Sequence, residues 1–198
     1  MKITLREIES SYKTKEDTVG LNPEMMSLIM PIVSPQGLFM EFGVWHGYSI
    51  RQIVGAMEKH GIIQTVYGFD SFLGLPESWG DLPVGSFNAG GHPPDIQDNR
   101  ITLITGWFNE ALPGFLLNHP GPVSFAHIDC DIYSSAKYVL DQLKDRIIPG
   151  TVLLFDEMIN VKDYEIHEFK AFNEFLEEND REAELMCHGK YQVAFKIK

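Results

Sequence analysis

Carboxylate side chains stand at the ends of several short apolar segments of this sequence. Asp70 follows one such segment, Asp129 follows another, and the pair Asp156-Glu157 follows a third. Carboxylates that converge either share protons, with raised pKa values, or bind a hard cation. Oxygen donors alone suit Mg²⁺, Ca²⁺ or Mn²⁺ better than Zn²⁺. The sequence therefore predicts that Asp129, Asp156 and Glu157 form an acid–base or metal site.

Asp131, His127 and His167 lie near the predicted acidic site in the sequence, and each is assigned a different role. Asp131 is predicted to be structural, with Asp131 or Ser134 capping the following helix. His127 lies inside an apolar segment and is interpreted as a core or supporting histidine. His167 opens a helix just after the Asp156 loop, so it is a candidate catalytic residue that faces the same site.

A glycine-containing bend follows the first apolar segment, with Glu41 before Gly43 and Ser49 after Gly47. Glycines let the backbone approach a ligand, and a helix that begins here offers free N–H groups. The spacing does not match the dinucleotide pattern G-x-G-x-x-G, and no Lys follows Gly47 as in a Walker A loop. An ordinary turn between strand and helix remains the alternative interpretation.

Asp70 is a candidate ribose-binding residue, because a carboxylate at the end of a strand can accept hydrogen bonds from a ribose diol. It lies 27 residues after Gly43, somewhat beyond the usual offset of about 20. The alternative is a solvated cap or turn residue.

Alternating strands and helices must position these residues. Strands are predicted at 38–43, 65–69, 101–104, 122–128 and 151–155, with a final hairpin of 184–187 and 191–197. Helices are predicted at 23–33, 47–60, 108–117, 134–146 and 166–178. This order predicts an α/β fold, a doubly wound, mostly parallel sheet with a C-terminal antiparallel hairpin. Ligands of such sheets bind beyond the carboxyl ends of the strands.

The length of 198 residues predicts one domain over 1–198, with an N-terminal helical segment at 1–36. Residues 71–100 are rich in Gly, Pro, Asp and Asn. A loop of this length inside a compact domain is uncommon, and this one is predicted to be an active-site lid.

The composition limits the class of partner. The formal net charge of −12 argues against nucleic acid, which requires a Lys/Arg-rich face. No apolar run is long enough for a membrane span, and the charged start is unlike a signal peptide. Two distant cysteines, Cys130 and Cys187, do not suggest a disulfide framework and fit a reduced, cytoplasmic setting. A small-molecule ligand is expected.

The joint order of these motifs resembles the class I S-adenosylmethionine (SAM)-dependent methyltransferases of the macrocin O-methyltransferase (TylF-like) group. The similar stretches include Leu38-Phe39-Met40-Glu41-Phe42-Gly43-Val44-Trp45-His46-Gly47-Tyr48-Ser49 and Tyr67-Gly68-Phe69-Asp70-Ser71-Phe72-Leu73-Gly74-Leu75-Pro76-Glu77. Gly106-Trp107-Phe108, His127-Ile128-Asp129-Cys130-Asp131-Ile132-Tyr133-Ser134-Ser135 and Gly150-Thr151-Val152-Leu153-Leu154-Phe155-Asp156-Glu157 follow in the right order.

The resemblance implies a seven-stranded Rossmann-like methyltransferase fold and a role for each motif. By resemblance, SAM is held by residues of all but the last motif, namely Glu41, Gly43, Gly47, Ser49, Asp70, Ser71, Gly106, Trp107 and Asp129. The implied reaction is methyl transfer to a hydroxyl of a small molecule, such as a sugar or secondary metabolite, with Asp129 as general base.

A divalent cation, Mg²⁺ or Ca²⁺, is implied at Asp129, Asp156 and Glu157, the last a Glu where the family has Asp. Family habit also suggests a homodimer. Two other classes remain as alternatives, a nicotinamide-dependent oxidoreductase and a non-catalytic nucleotide-binding module.

Overall fold

The computed structural model describes residues 2–15 and 21–198, and its centre is one seven-stranded sheet. The strands are β1 (Leu38–Phe42), β2 (Val66–Asp70), β3 (Ile101–Thr105), β4 (Val123–Ile128), β5 (Val152–Phe155), β6 (Ala183–His188) and β7 (Val193–Ile197). They lie in the order β3-β2-β1-β4-β5-β7-β6. Strands β1 to β5 pair in parallel, whereas β7 pairs antiparallel with both β5 and β6. The predicted sheet and its terminal hairpin are confirmed.

In the described part of the chain, six α-helices flank the sheet. They are α1 (Leu5–Glu9), α2 (Pro23–Ile29), α3 (Tyr48–Lys59), α4 (Phe108–Asn118), α5 (Tyr133–Leu143) and α6 (Glu168–Glu178). Asn22 caps α2 as predicted, accepting the N–H groups of Glu24 and Met25. Helix α1 lies in the N-terminal segment 1–36 that was predicted to be helical, although no separate helix was predicted at 5–9. It begins with a capping box in which Thr4 and Glu7 satisfy each other's backbone N–H groups.

Apolar side chains fill two layers, one on each face of the sheet. Helices α4, α5 and α6 cover one face, and α2 and α3 cover the other. Every residue of β4 and β5 is buried. Central parallel strands covered on both faces read as continuous apolar runs, which explains why these segments were recognisable in the sequence.

The strand order reverses at β1, because β2 lies on one side of it and β4 on the other. Backbone hydrogen bonds continue past the strand ends, with Gly43 N–H donating to Phe69 (3.0 Å) and Asp129 N–H donating to Phe42 (2.9 Å). Asp156 N–H likewise donates to Ile128 (3.0 Å). The glycine bend and the two acidic motifs are therefore brought to one edge of the sheet, as the topology of a doubly wound sheet requires.

The long connection between β2 and β3 contains no α-helix or strand, apart from an isolated bridge between Trp79 and Leu82. Its backbone turns back on itself, since the N–H groups of Ala89 and Gly91 both donate to Phe72. Among the helices that the structure describes, none has the length and apolar character needed to cross a bilayer.

Candidate functional site

A cavity of about 1190 Å³ opens at the carboxyl edge of the sheet. A single drug-sized ligand needs roughly 300–1,000 Å³, so this cavity has room for two small molecules side by side. Nine of the residues singled out in the sequence line it: Gly43, Ser49, Asp70, Ser71, Gly106, Trp107, Asp129, Asp156 and Glu157. Glu41, Gly47 and His167 are not among the lining residues.

Asp70 holds the glycine bend in place. Its Oδ2 accepts the N–H groups of Val44 and Trp45, both at 2.8 Å, and its Oδ1 accepts Phe72 N–H at 2.7 Å. The side chain therefore caps two loops, as the alternative interpretation expected, and also borders the cavity. A carboxylate offers about four acceptor positions, so capacity for a ligand remains.

Gly43 lies where β1 leaves the sheet and touches the neighbouring strand end. Its φ of +93° belongs to the region that favours glycine. A Cβ added at this position would lie 1.8 Å from the carbonyl oxygen of Asp129. Gly47, with φ of +74°, is the N-cap of α3 and faces Ile96 and Pro94 of the long loop rather than the cavity.

Glu41 and His127 form a buried pair on adjacent strands, with His127 Nδ1 2.9 Å from Glu41 Oε1. The other ring nitrogen, Nε2, lies 3.6 Å from Asp156 Oδ1. Burial opposes the charged imidazole, but the carboxylates of Asp156 and Glu41 outweigh it and raise the pKa of His127 well above its usual value. Burial raises the pKa of Glu41, against the hydrogen bonds of His127 and Ser49. His127 thus supports the site from within the sheet, as expected.

Asp156 is held from two sides. Besides His127, the side-chain amide of Gln192 donates to its Oδ1. Burial raises the pKa of Asp156, but the nearby side chains of His127, Glu157 and Gln192 reverse this and lower it overall. Gln192 Oε1 in turn accepts Asn22 N–H at 3.3 Å, and Asn22 Nδ2 donates to Thr14 Oγ1 at 2.7 Å. A chain of polar groups therefore runs from the N-terminal segment to this carboxylate.

The predicted acidic cluster is assembled in the fold. Asp129, Asp156 and Glu157 each offer a carboxylate oxygen, and the three oxygens lie within 4.8 Å of one another. Burial and the charge of Asp156 raise the pKa values of Asp129 and Glu157 well above their usual range. The buried Oε2 of Glu157 has no hydrogen-bond partner. Such a cluster is unfavourable as carboxylates alone and favourable around a proton or a cation.

Asp131 does not cap α5, and the capping prediction is wrong. The N-cap is Ile132, and no side chain makes a capping bond there. Asp131 instead adopts a left-handed backbone with φ of +60° and lines the cavity. Burial and the charge of Asp156 raise its pKa to about 7. Ser134, the other proposed cap, donates to Glu77 Oε1 at 2.7 Å and so links α5 to the long loop.

Glu168 is a site residue that was not predicted from the sequence. It is fully buried at the start of α6, and its Oε1 accepts Cys130 N–H at 2.8 Å, between the two aspartates of the β4 loop. Burial raises the pKa of Glu168 to about 8. Its position could have been inferred from the helix period, because Glu168 lies four and seven residues before Phe172 and Phe175. This spacing puts its carboxylate on the apolar face of the helix.

The raised pKa of Glu168 predicts that the metal-free protein loses stability as pH rises. A glutamate in the unfolded chain loses its proton near 4.5, whereas folded Glu168 keeps it to about 8. Between these values the folded state binds more protons, so the free energy of unfolding falls with rising pH. In thermal denaturation between about pH 5 and pH 8, we expect Glu168→Gln to reduce this fall by about 1 kcal/mol or more, which is about 2–4 °C in Tm.

Glu177→Gln is the matched control, because Glu177 lies on the exposed side of the same helix and pairs only at the surface with Lys2. Its pH profile should follow that of the wild type. Identical profiles for the wild type and Glu168→Gln would contradict the assignment.

His167 lies just outside the cavity wall, at the N-cap of α6. Its ring meets that of Trp79, a lining residue, edge-on at 6.4 Å between centroids. The buried Nδ1 has no hydrogen-bond partner, and burial lowers the pKa of the imidazole. The structure thus places His167 behind an aromatic side chain of the site.

A comparison with protein families matches residues 40–158 to a family described as "Methyltransferase domain". The match spans more than half of the chain and includes the glycine bend, Asp70 and the whole acidic cluster. This chain belongs to that methyltransferase family. The cavity lies at the reversal of strand order, which is where doubly wound sheets bind their ligands.

A curated relative is 8-demethyl-8-(2,3-dimethoxy-alpha-L-rhamnosyl)-tetracenomycin-C 4'-O-methyltransferase of Streptomyces olivaceus, 26% identical over 140 residues. The match covers 61% of this chain and 52% of that relative, so the chain spans about half the length of the curated protein that it matches.

Solved structures share the fold. The O-methyltransferase NovP has a TM-score of 0.70 at 20% identity, covering 88% of this chain and 78% of NovP. The calicheamicin methyltransferase CalS11 has a TM-score of 0.70 at 20% identity, covering 88% of this chain and 77% of CalS11. A second structure of CalS11, described as a TDP-rhamnose 3'-O-methyltransferase, has a TM-score of 0.63 at 21% identity, with coverage of 88% and 78%.

Proposed function

We propose that this chain transfers the methyl group of SAM to a hydroxyl of a small molecule, a sugar or a related secondary metabolite. The observation that carries the proposal is the single cavity in which the Asp70-anchored glycine bend faces the cluster of Asp129, Asp156 and Glu157. Membership of the methyltransferase family supports the transferred group. The names of relatives described as O-methyltransferases support oxygen as the acceptor atom.

The donor site is built by backbone that can approach a ligand closely. Gly43 brings the end of β1 against Asp129 without an intervening side chain, and Asp70 borders the space beside it. Asp70 retains acceptor positions for ribose hydroxyls. Gly106 and Trp107 line the cavity where β3 ends, which suits them to contact the nucleoside.

The residues present also fit a divalent cation. Three carboxylate oxygens converge, and one buried carboxylate oxygen, Glu157 Oε2, lacks a partner. We propose that Asp129, Asp156 and Glu157 hold Mg²⁺ or Ca²⁺, both of which prefer oxygen ligands. Positive charge here would relieve the repulsion that raises the pKa values of Asp129 and Glu157.

When bound, SAM supplies an electrophilic methyl group on a good leaving group, and a cation supplies charge that lowers the pKa of a nearby hydroxyl. The chain's own residues do the rest. Asp129 accepts the proton of the acceptor hydroxyl as general base. Asp156, fixed by His127 and Gln192, keeps its charge beside it. The loop 71–100, linked to α5 through Glu77 and Ser134, shields the cavity from water.

The proposal predicts that Asp70→Ala weakens binding of S-adenosylhomocysteine (SAH) by about tenfold or more. The substitution removes the carboxylate proposed to accept hydrogen bonds from the ribose hydroxyls. It also removes the three hydrogen bonds that hold the glycine bend and the start of the long loop. Calorimetric titration measures the affinity.

A thermal-shift screen of the wild type with SAH, with and without Mg²⁺ or Ca²⁺, tests donor and cation together, because ligands that bind only the folded state raise Tm.

Asp145→Asn is the control, since Asp145 is exposed beyond α5 and does not line the cavity. It should bind SAH like the wild type. If the wild type shows no thermal shift with SAH, or if Asp70→Ala binds SAH normally, the proposed donor site is wrong.

A further inference from the structure

Three aromatic rings form a wall of the cavity that the reaction described above does not use. Trp45 and Phe87 lie 5.7 Å apart between ring centroids, edge to face, and Phe87 and Trp79 lie 6.5 Å apart. We call Trp45, Phe87 and Trp79 the aromatic wall. All three line the cavity, and Trp45 and Phe87 are 41% and 39% exposed. Large aromatic side chains left this open inside a cavity indicate a surface that is covered by a ligand.

The aromatic wall runs from the donor side of the cavity to the start of α6. Trp45 belongs to the glycine bend and donates its backbone N–H to Asp70. At the other end, Trp79 meets the ring of His167, which directly precedes Glu168. Trp107, at the end of β3, belongs to a different part of the lining and contacts no ring of the wall. The wall therefore offers a second surface in the same cavity as the acidic cluster, beginning at the glycine bend.

The charge of the cavity restricts what this second surface accepts. Among the residues that the structure describes, the acidic side chains of the lining are Asp70, Glu110, Asp129, Asp131, Asp156 and Glu157, and the one Lys or Arg is Arg51. The guanidinium of Arg51 already donates to the backbone carbonyls of His46, Gly47 and Asp95, at 2.8–3.3 Å. Among the described side chains of the lining, none with a positive charge is therefore free to pair with a phosphate group, and the charged carboxylates of the lining would repel one.

We propose that the acceptor is an uncharged molecule whose planar apolar part stacks on the aromatic wall while its hydroxyl faces Asp129, and that nucleoside diphosphate sugars are excluded. This inference rests on the proposed methyl transfer and deepens it by naming the acceptor class. Stacking on the wall orients the acceptor, and orientation is the main requirement of an in-line displacement. Phe87 and Trp79 are then specificity-determining residues supplied by the loop 71–100.

The test compares three acceptors that carry the same sugar, 1-naphthyl α-L-rhamnoside, methyl α-L-rhamnoside and TDP-rhamnose. Binding to the SAH-loaded protein is followed by calorimetry, and methylation by mass spectrometry with SAM. We expect the naphthyl compound to bind about tenfold or more tightly than the methyl compound, and TDP-rhamnose not to bind. Phe87→Ala and Trp79→Ala should each remove most of the naphthyl preference and leave SAH affinity unchanged.

Leu117→Ala is the control, because Leu117 is 85% exposed on α4 and does not line the cavity. It should leave all affinities unchanged. Equal affinity for the naphthyl and methyl rhamnosides, absence of naphthyl rhamnoside binding, or tight binding of TDP-rhamnose would overturn the inference. Because SAH binding is measured first, failure of the donor site is distinguished from failure of the aromatic wall.

Discussion

Replacing Asp129 with Asn is expected to lower kcat for methyl transfer by about 10²- to 10⁴-fold. The amide cannot accept the hydroxyl proton, and it cannot balance a cation shared with Asp156 and Glu157. SAH affinity should stay close to that of the wild type, because Asp70 and the glycine bend are untouched. Steady-state kinetics with a saturating donor give kcat, and calorimetry gives the affinity.

The same variant reports on its own folding. Burial and the charge of Asp156 raise the pKa of Asp129 well above its usual value, so a neutral side chain of the same shape removes repulsion. Tm of the metal-free Asp129→Asn protein should therefore equal or exceed that of the wild type. If Asp129→Asn keeps wild-type turnover, the role of Asp129 as general base is contradicted. If turnover is lost only because the variant unfolds, its Tm will be lower than that of the wild type.

Gly43→Ala is expected to destabilise the protein by about 3 kcal/mol or more. The new methyl group would lie 1.8 Å from the carbonyl oxygen of Asp129, and the backbone φ of +93° is unfavourable for alanine. Relief requires that the ends of β1 and β4 separate, which displaces the glycine bend and Asp129 together. Thermal or urea denaturation measures the loss, and SAH titration should show weaker binding in any folded fraction.

Gly55→Ala is the matched control for this substitution. Gly55 lies inside α3, and beyond the neighbouring residues and backbone of that helix nothing stands within 4 Å of an added Cβ. Alanine should stabilise that helix by up to about 1 kcal/mol. If Gly43→Ala were as stable as Gly55→Ala, the close contact between the bend and Asp129 would not exist in solution.

The strands and the acidic strand ends were predictable because their signals are local. A buried parallel strand is a short apolar run, and a carboxylate directly after it must lie at the carboxyl edge of the sheet. Asp70, Asp129, Asp156 and Glu157 all follow this rule, and all line the cavity. The roles of these residues in binding and catalysis stay predictions that the experiments above address.

The supporting residues were not predictable because their partners are distant in sequence. Glu168 contacts Cys130 across 38 residues, and Gln192 contacts Asp156 across 36 residues. The position of helix α1 within the N-terminal segment was not predicted for a related reason. The helix has five residues, too few for its own stability, and the burial of Ile8 and the 2.6 Å bond from Ile3 N–H to Asn173 tie it to the fold.

The polar chain from Thr14 through Asn22 and Gln192 connects the amino-terminal region to Asp156. Changes in that region are therefore expected to affect the rate of methyl transfer. Thr14 and Asn22 do not belong to the acidic cluster. They nevertheless help to hold the side-chain amide of Gln192, which donates a hydrogen bond to Asp156. An affinity handle or an adjoining domain that disturbs these residues would reach the reactive carboxylate without touching the cavity. Recombinant forms that differ only in where the handle is attached would then differ in specific activity while folding equally well.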